Sequence, residues 1–301
     1  MTADPHSING TTNTFVPDEA EPLRVTPKFG RLPDDVLHER RRRLRPLVER
    51  EVLPRLLLAH VTASSAARRV ADDSAMLQFA ESLLAADHER ACNIVDALRA
   101  QGTSLETLYL DLLAPAGHHL RWLWVHDRCD LAGVTQGLSL LRTLLVELRT
   151  AFCGEVEPSV RGRSVLLAPA PGERITFEHV MVEEFFRRAG WTVVSYPVGE
   201  GRKLSARTQS DLFDVVWLSH SAVGPLDGLA ICIREIRQAS CHPGMGVMVG
   251  GTDFAADPER ARLVGAHATA SDGRVAENMA QTLVCLLDSN AGFRRRPTAS
   301  N

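Results

Sequence analysis

The residues of this chain best suited to holding a ligand stand where short apolar runs end. Ser219 and Ser221 close the run Val215–Leu218, with His220 between them, and Gly250, Gly251 and Thr252 close Val247–Val249. Thr269 lies in the small-residue segment Gly265–Ala270. Small residues at such ends let a large flat molecule lie against the backbone, where a Cβ would obstruct it. The hydroxyls of Ser219 and Ser221 could hydrogen-bond a ligand tail, and Thr252 and Thr269 are small polar neighbours of the same slot. Further upstream, Trp122, Trp124 and His126 crowd the end of a helical pattern. Trp124 could stack on a flat ligand and His126 could bind a metal, since imidazole is the commonest metal ligand near neutral pH. His118, His119 and Cys129 are alternative donors. The plainer readings are core packing for the tryptophans, turns for the serines and glycines, and a buried inert thiol for Cys129.

Catalytic signatures do not accompany these residues. There is no nucleophile elbow, P-loop or His-Glu-x-x-His, and Ser219-His220 lacks an orienting acid at any argued spacing. His220, His242 and His267 show no metal-ligand spacing and read as loop or surface residues. The six cysteines are scattered without Cys-x-x-Cys pairs, the usage of reduced, mostly buried thiols in a cytoplasmic protein. A net charge of −3 gives no global basic field for nucleic acid. The basic run Arg40–Arg45 is flanked by Glu39, Glu49 and Glu51 and reads as a solvated helix face; Arg294–Arg296 sits in a tail. No apolar segment looks long enough to span a bilayer.

The elements that must position these residues fall into two groups. A polar tail at 1–33 precedes a helical bundle at 34–153. Its apolar stripes run over Val52–Leu58, Asp73–Ala86 and His88–Ala100. Thr103–Glu106 forms a capping box for a helix to Leu113, Pro115 opens a segment through Trp124, and Leu131–Phe152 buries Leu138, Leu141, Leu145 and Leu148. After a connector at 154–160, strands alternate with helices over 161–288, and 289–301 is a second tail. The strands lie at 164–168, 191–195, 214–219, 246–249 and 267–270. This is an α/β chain: an N-terminal helical bundle, then a Rossmann-like doubly wound sheet of five parallel strands, with ligands expected at the carboxyl strand ends.

The order of these loops resembles the cobalamin (B12)-binding module of methyltransferases, mutases and photoreceptor-type regulators. The bundle segments Leu113–Ala116 and Trp122–Trp124 share in that resemblance, and Val52–His60 and Glu184–Trp191 are most similar to the PpaA/AerR-type antirepressors of photosynthesis genes, including the SCHIC-like domains proposed to hold haem. The resemblance implies a cobalamin ligand, haem as the alternative, or an empty slot. It implies a loop after the first strand with an axial histidine in a D/E-x-H-x-x-G motif, and a Gly-Gly loop lining a slot for a nucleotide tail.

This chain departs from that motif. With Glu173 at the acidic position, Ile175 stands where the axial histidine belongs and Glu178 where the glycine belongs. Isoleucine has no lone pair for cobalt or iron. His179 follows Glu178, but one residue along a helix turns a side chain by about 100°, so ligation by a histidine of this loop is expected to be lost. Glu173, Glu178, Glu183 and Glu184 read as a solvated loop and helix face.

The resemblance implies a cytoplasmic, non-enzymatic regulator acting by ligand-modulated contact with a transcriptional repressor of the PpsR/CrtJ type. Membrane association is not expected and direct DNA binding is disfavoured. The alternatives are a corrinoid carrier of a methyltransferase system and a ligand-free interaction scaffold.

Overall fold

The computed structural model describes residues 73–196, 204–220 and 226–292. The expected N-terminal tail, the stripe Val52–Leu58, both basic runs and Ser221 lie outside these residues.

Five helices precede the sheet among the described residues: α1 (Asp73–Leu84), α2 (His88–Ala100), α3 (Leu105–Leu108), α4 (Ala114–Val125) and α5 (Leu131–Gly154), with a π-helical turn, Tyr109–Leu113, joining α3 to α4. Short polar side chains start them. Asp87 accepts from the Arg90 N–H at 2.9 Å, Ser104 from Thr107 at 3.1 Å, and Asp130 from Gly133 at 2.7 Å. The expected capping box is not formed. The cap is Ser104, and Glu106 reaches instead to Arg188 and Arg274 of the sheet domain. Pro115 sits in the first turn of α4, where no backbone donor is needed.

The bundle core contains Phe79, Leu83, Leu112, Leu120, Leu141 and Leu145, with Leu138 and Leu148 at its margin. Contrary to expectation, α5 is by length and composition apolar enough to cross a membrane. Its inner face packs into this core.

The sheet is built from β1 (Ser164–Pro169), β2 (Thr192–Ser195), β3 (Val215–Ser219), β4 (Gly246–Gly250) and β5 (Ala268–Ala270), in the order β2-β1-β3-β4-β5. All described pairings are parallel, and β1 aligns Leu166 with Val194 on one side and with Val216 on the other. Successive strands are added to one side of β1 and then to the other, and the carboxyl ends of β1 and β3 form the natural crevice. The connecting helices are α6 (Phe177–Arg188), α7 (Leu204–Ser210), α8 (Leu226–Ala239), α9 (Thr252–Ala256), α10 (Glu259–Leu263) and α11 (Gly273–Gly292). One sheet face packs Val165, Leu167, Trp217 and Met248 against α6 and α11. The other packs Leu166, Val216, Leu218 and Val247 against α8.

α6 joins the two halves because it is apolar on two sides. Phe177, Met181 and Phe185, four residues apart, enter the bundle core, while Val182 and Phe186 enter the sheet core. Phe185 meets Phe152 of α5 edge-on at 5.1 Å, Phe152 stacks on Tyr109 at 3.9 Å, and the Arg188 guanidinium lies 4.5 Å over the Phe152 ring.

Glu184 is not solvated, as the sequence suggested, but fully buried. The Arg149 Nε donates to it at 2.8 Å from α5 and Arg187 at 3.0 Å from the next turn. His220 and His267 are likewise buried rather than superficial. His267 Nδ1 accepts from the Val247 N–H at 2.9 Å. The six cysteines are free but not mostly buried: four are half-buried, and Cys241 and Cys285 are exposed.

Candidate functional site

Where the bundle meets the carboxyl edge of the sheet there is a cavity of about 210 Å³. Its floor is Ser219 and His220 after β3 with Gly250 and Gly251 after β4; Ala270 to Gly273 close one side. Thr176–His179, the first turn of α6, form the other wall, and Leu110, Ala114, His118 and Arg121 form the roof. The roof residues recur every three or four positions along one helical face, which is why one stripe of α4 covers the opening.

Thr176 starts α6 by accepting from the His179 N–H at 3.3 Å, and the His179 ring, on that first turn, is buried. The ring is 1% exposed. Its Nδ1 lies 3.0 Å from Ser219 Oγ, and its Nε2 has no hydrogen-bond partner. Burial lowers its pKa to about 4, so the imidazole is neutral and one ring nitrogen keeps a lone pair. Trp217, also lining the cavity, has a buried indole N–H without a partner. Across the seam, Glu178 pairs with His118 at 3.1 Å. Burial opposes ionisation of Glu178, but the hydrogen bonds from His118 and the backbone outweigh it and hold the carboxyl at about 2.

The glycines are dictated by their neighbours. Gly251 has φ 140°, and a Cβ there would overlap the His220 carbonyl. A Cβ on Gly250 would overlap the Trp217 indole, which stands in the space beside it.

Of the residues singled out from the sequence, Glu178, His179, Ser219, Gly250 and Gly251 come together around the cavity. Gly251 is followed by Thr252 at the start of α9. Trp124 and His126 stand elsewhere. Trp124 is 48% exposed, while His126 is turned onto the Trp122 carbonyl at 2.9 Å and stacked on its indole, an end-of-helix contact that uses Nδ1. Glu173 lies near His220, with 3.9 Å between its carboxylate and the ring Nε2. Ile175 is half-buried in the loop before α6, and Thr269 is buried in β5; neither lines the cavity. Sequence reasoning missed His118 as the partner of Glu178, along with Arg121 and Trp217. The three-and-four spacing of Ala114, His118 and Arg121 was the available signal.

No family model matches the chain. A monomethylamine corrinoid protein from Methanosarcina barkeri superposes with a TM-score of 0.56, over 72% of this chain and all of its own, at 13% identity. The two chains share a fold. A novel cobalamin-binding protein from Desulfitobacterium hafniense DCB-2 aligns over 71% of the chain at 14% identity with a TM-score of only 0.34. In sequence, the chain is 26% identical over 181 residues to an uncharacterized 20.5 kDa protein of the bchF-crtJ intergenic region of Rhodobacter capsulatus, covering 60% of this chain and 93% of that one.

The cavity residues can be tested against a metal-centred ring of the kind that a corrinoid protein carries. A buried, neutral, half-satisfied imidazole in the cavity wall fits a coordination bond to such a metal. The space beside Gly250 does not fit an additional tail, because Trp217 fills it.

Proposed function

We propose that this chain is a non-enzymatic sensory regulator that holds a metal-centred tetrapyrrole between bundle and sheet. It signals occupancy through contact with a transcription factor. The observation that carries the reading is the unpartnered Nε2 of His179 in the cavity wall. With the proton on Nδ1 and donated to Ser219 Oγ, Nε2 presents its lone pair to the cavity. His179 thus takes over from the position of Ile175, one helical turn later. The bound group supplies one coordination bond; everything else is supplied by the protein.

A cavity of about 210 Å³ is smaller than the roughly 300–1,000 Å³ of ordinary small-molecule sites. Entry of a flat ring therefore requires the α4 roof to lift from α6, parting His118 from Glu178. A ligand that binds only the lifted form shifts the population toward it, which is what a sensor needs. The helices α1 to α5 and the sheet with its covering helices are the two moving parts. The partner we favour is a repressor of the PpsR/CrtJ type in the cytoplasm; the location of the 26%-identical relative beside crtJ supports that choice. The likeness to a corrinoid protein of methylamine metabolism favours a second reading, a methyl-carrying subunit.

Titration with hydroxocobalamin and, separately, haemin, followed by absorbance, tests the site. A perturbed spectrum in wild type that is lost in His179→Ala supports it. No perturbation with either ring, or one that persists in His179→Ala, overturns it. A pull-down of the repressor with and without the bound ring tests the regulatory half, and methyl transfer to a thiol acceptor by the loaded protein would establish the carrier reading instead.

A further inference from the structure

Within the bundle, α2 and α5 bring together three side chains that do not line the cleft. His88 and Cys92 are one turn apart on α2 and so share a face. Glu147 reaches them from α5. The His88 Nε2 lies 3.1 and 3.0 Å from the two carboxylate oxygens of Glu147, and 3.7 Å from the Cys92 Sγ. One donor atom from each of the three residues falls within 4.8 Å of the other two.

Those separations can be compared with a known coordination geometry. Tetrahedral zinc, with bonds of about 2.0 Å to nitrogen and oxygen and about 2.3 Å to sulfur, sets its ligand atoms about 3.3 Å (N to O) and about 3.5 Å (N to S) apart. The two separations from His88 Nε2 match within a few tenths of an ångström before any metal is added, and the third, between Glu147 and Cys92, is within 4.8 Å. Its donor set of one imidazole, one carboxylate and one thiol is that of a borderline-soft divalent cation, not of magnesium or calcium.

From this we propose that His88, Cys92 and Glu147 form a zinc-class metal site that clips α2 to α5. Three protein ligands leave the fourth position to water, and the near half-exposure of His88 and Glu147 (47% for each side chain) gives the ion a path in. A zinc-class ion takes the Cys92 sulfur as a thiolate, so binding displaces the thiol proton. Asp87 accepts from Arg90 at the start of α2 and fixes the first turn, which fixes His88. The site is separate from the tetrapyrrole cleft, and neither depends on the other.

The test is Co(II) titration of the reduced, tag-free full chain, after chelator treatment. We expect a thiolate-to-cobalt charge-transfer band in the near ultraviolet and tetrahedral visible bands. They should saturate at one ion per chain, release one proton, and be displaced by Zn(II). Cys92→Ser abolishes the charge-transfer band, and His88→Gln and Glu147→Gln weaken cobalt binding. Zn(II) raises the thermal midpoint of wild type but not that of Cys92→Ser, whose far-ultraviolet dichroism reports that it still folds. Absence of the band in wild type, or a band that survives in Cys92→Ser because Cys241 or Cys285 supplies it, overturns the proposal.

Discussion

His179 Nδ1 and Ser219 Oγ lie 3.0 Å apart, one on the first turn of α6 and the other at the end of β3. The contact joins the two elements that flank the cavity and governs which tautomer the ring adopts. The hydroxyl of Ser219 can accept from Nδ1–H, which frees Nε2 for a metal, or donate to Nδ1, which leaves Nε2 protonated.

Ser219→Ala removes the acceptor that favours the first arrangement. We expect tetrapyrrole affinity to fall about 10- to 100-fold, the usual consequence of losing the group that orients a ligating histidine. The ring remains present, so the shape of the bound spectrum should be kept. Binding isotherms monitored by absorbance compare this variant with His179→Ala, in which the spectrum itself disappears.

Acid should weaken the fold through the same residue. The folded value for His179 is about 4, below the value of about 6.5 in an unfolded chain. The unfolded state therefore takes the proton first. Stability is full above about pH 6.5 and is lost as pH falls toward 4, by on the order of 3 kcal/mol. Burial, and then Arg237, depress His267 to about 3, so the loss continues below pH 4. Urea unfolding at pH 7 and pH 4.5 should give a smaller difference for His179→Gln than for wild type.

The buried carboxylate of Glu184 makes a different prediction. Arg149→Met leaves it with Arg187 as its remaining guanidinium partner, and we expect a loss of about 1–3 kcal/mol. The double variant Arg149→Met/Glu184→Met should recover part of that loss, because removing both charges leaves nothing unpaired. Chemical denaturation of the two variants checks the ordering.

Gly250 and Trp217 should be coupled. Gly250→Ala forces a methyl into the indole and should cost about 1–3 kcal/mol, and Trp217→Val should relieve most of it in the double variant. Under the proposed function, the nucleotide tail of hydroxocobalamin would lie beside that glycine. Trp217→Val alone should therefore raise hydroxocobalamin affinity while leaving haemin, which has no such tail, unchanged. Equal gains for both rings would mean that Trp217 does not occupy a tail slot.

Much of the architecture was legible in the chain. Apolar runs of four to six residues alternating with helical periods gave all five strands to within a residue or two. Those runs are buried on both faces of a parallel sheet, which leaves a strong local signal. The helix starts at His88 and Leu131 were equally readable, since their caps, Asp87 and Asp130, are local chemistry. The cap of α3 was misread by one residue, because Glu106 has a long-range partner, Arg188, that competes for it.

The site was only half legible. Strand ends announced Ser219, Gly250 and Gly251, whereas motif spacing turned attention from His179 to Ile175. Helical rotation alone suggested that His179 would point away. Its inward turn depends on where α6 sits, and α6 is placed by Phe177, Met181 and Phe185 in one core and Val182 and Phe186 in the other. Phe177 lies so close to α4 that a Cβ on Gly117 would meet its ring at 2.6 Å.

The sequence by itself determined the order of elements, the parallel sheet and the small residues at its carboxyl edge, because each follows from local periodicity and side-chain size. Only the tertiary structure decided which histidine enters the cavity, why Glu184 is buried with Arg149, and how Glu147 comes to face His88 and Cys92. Those pairings join residues 35 to 59 positions apart, and their partners are chosen by how the helices pack rather than by anything a neighbouring residue can signal.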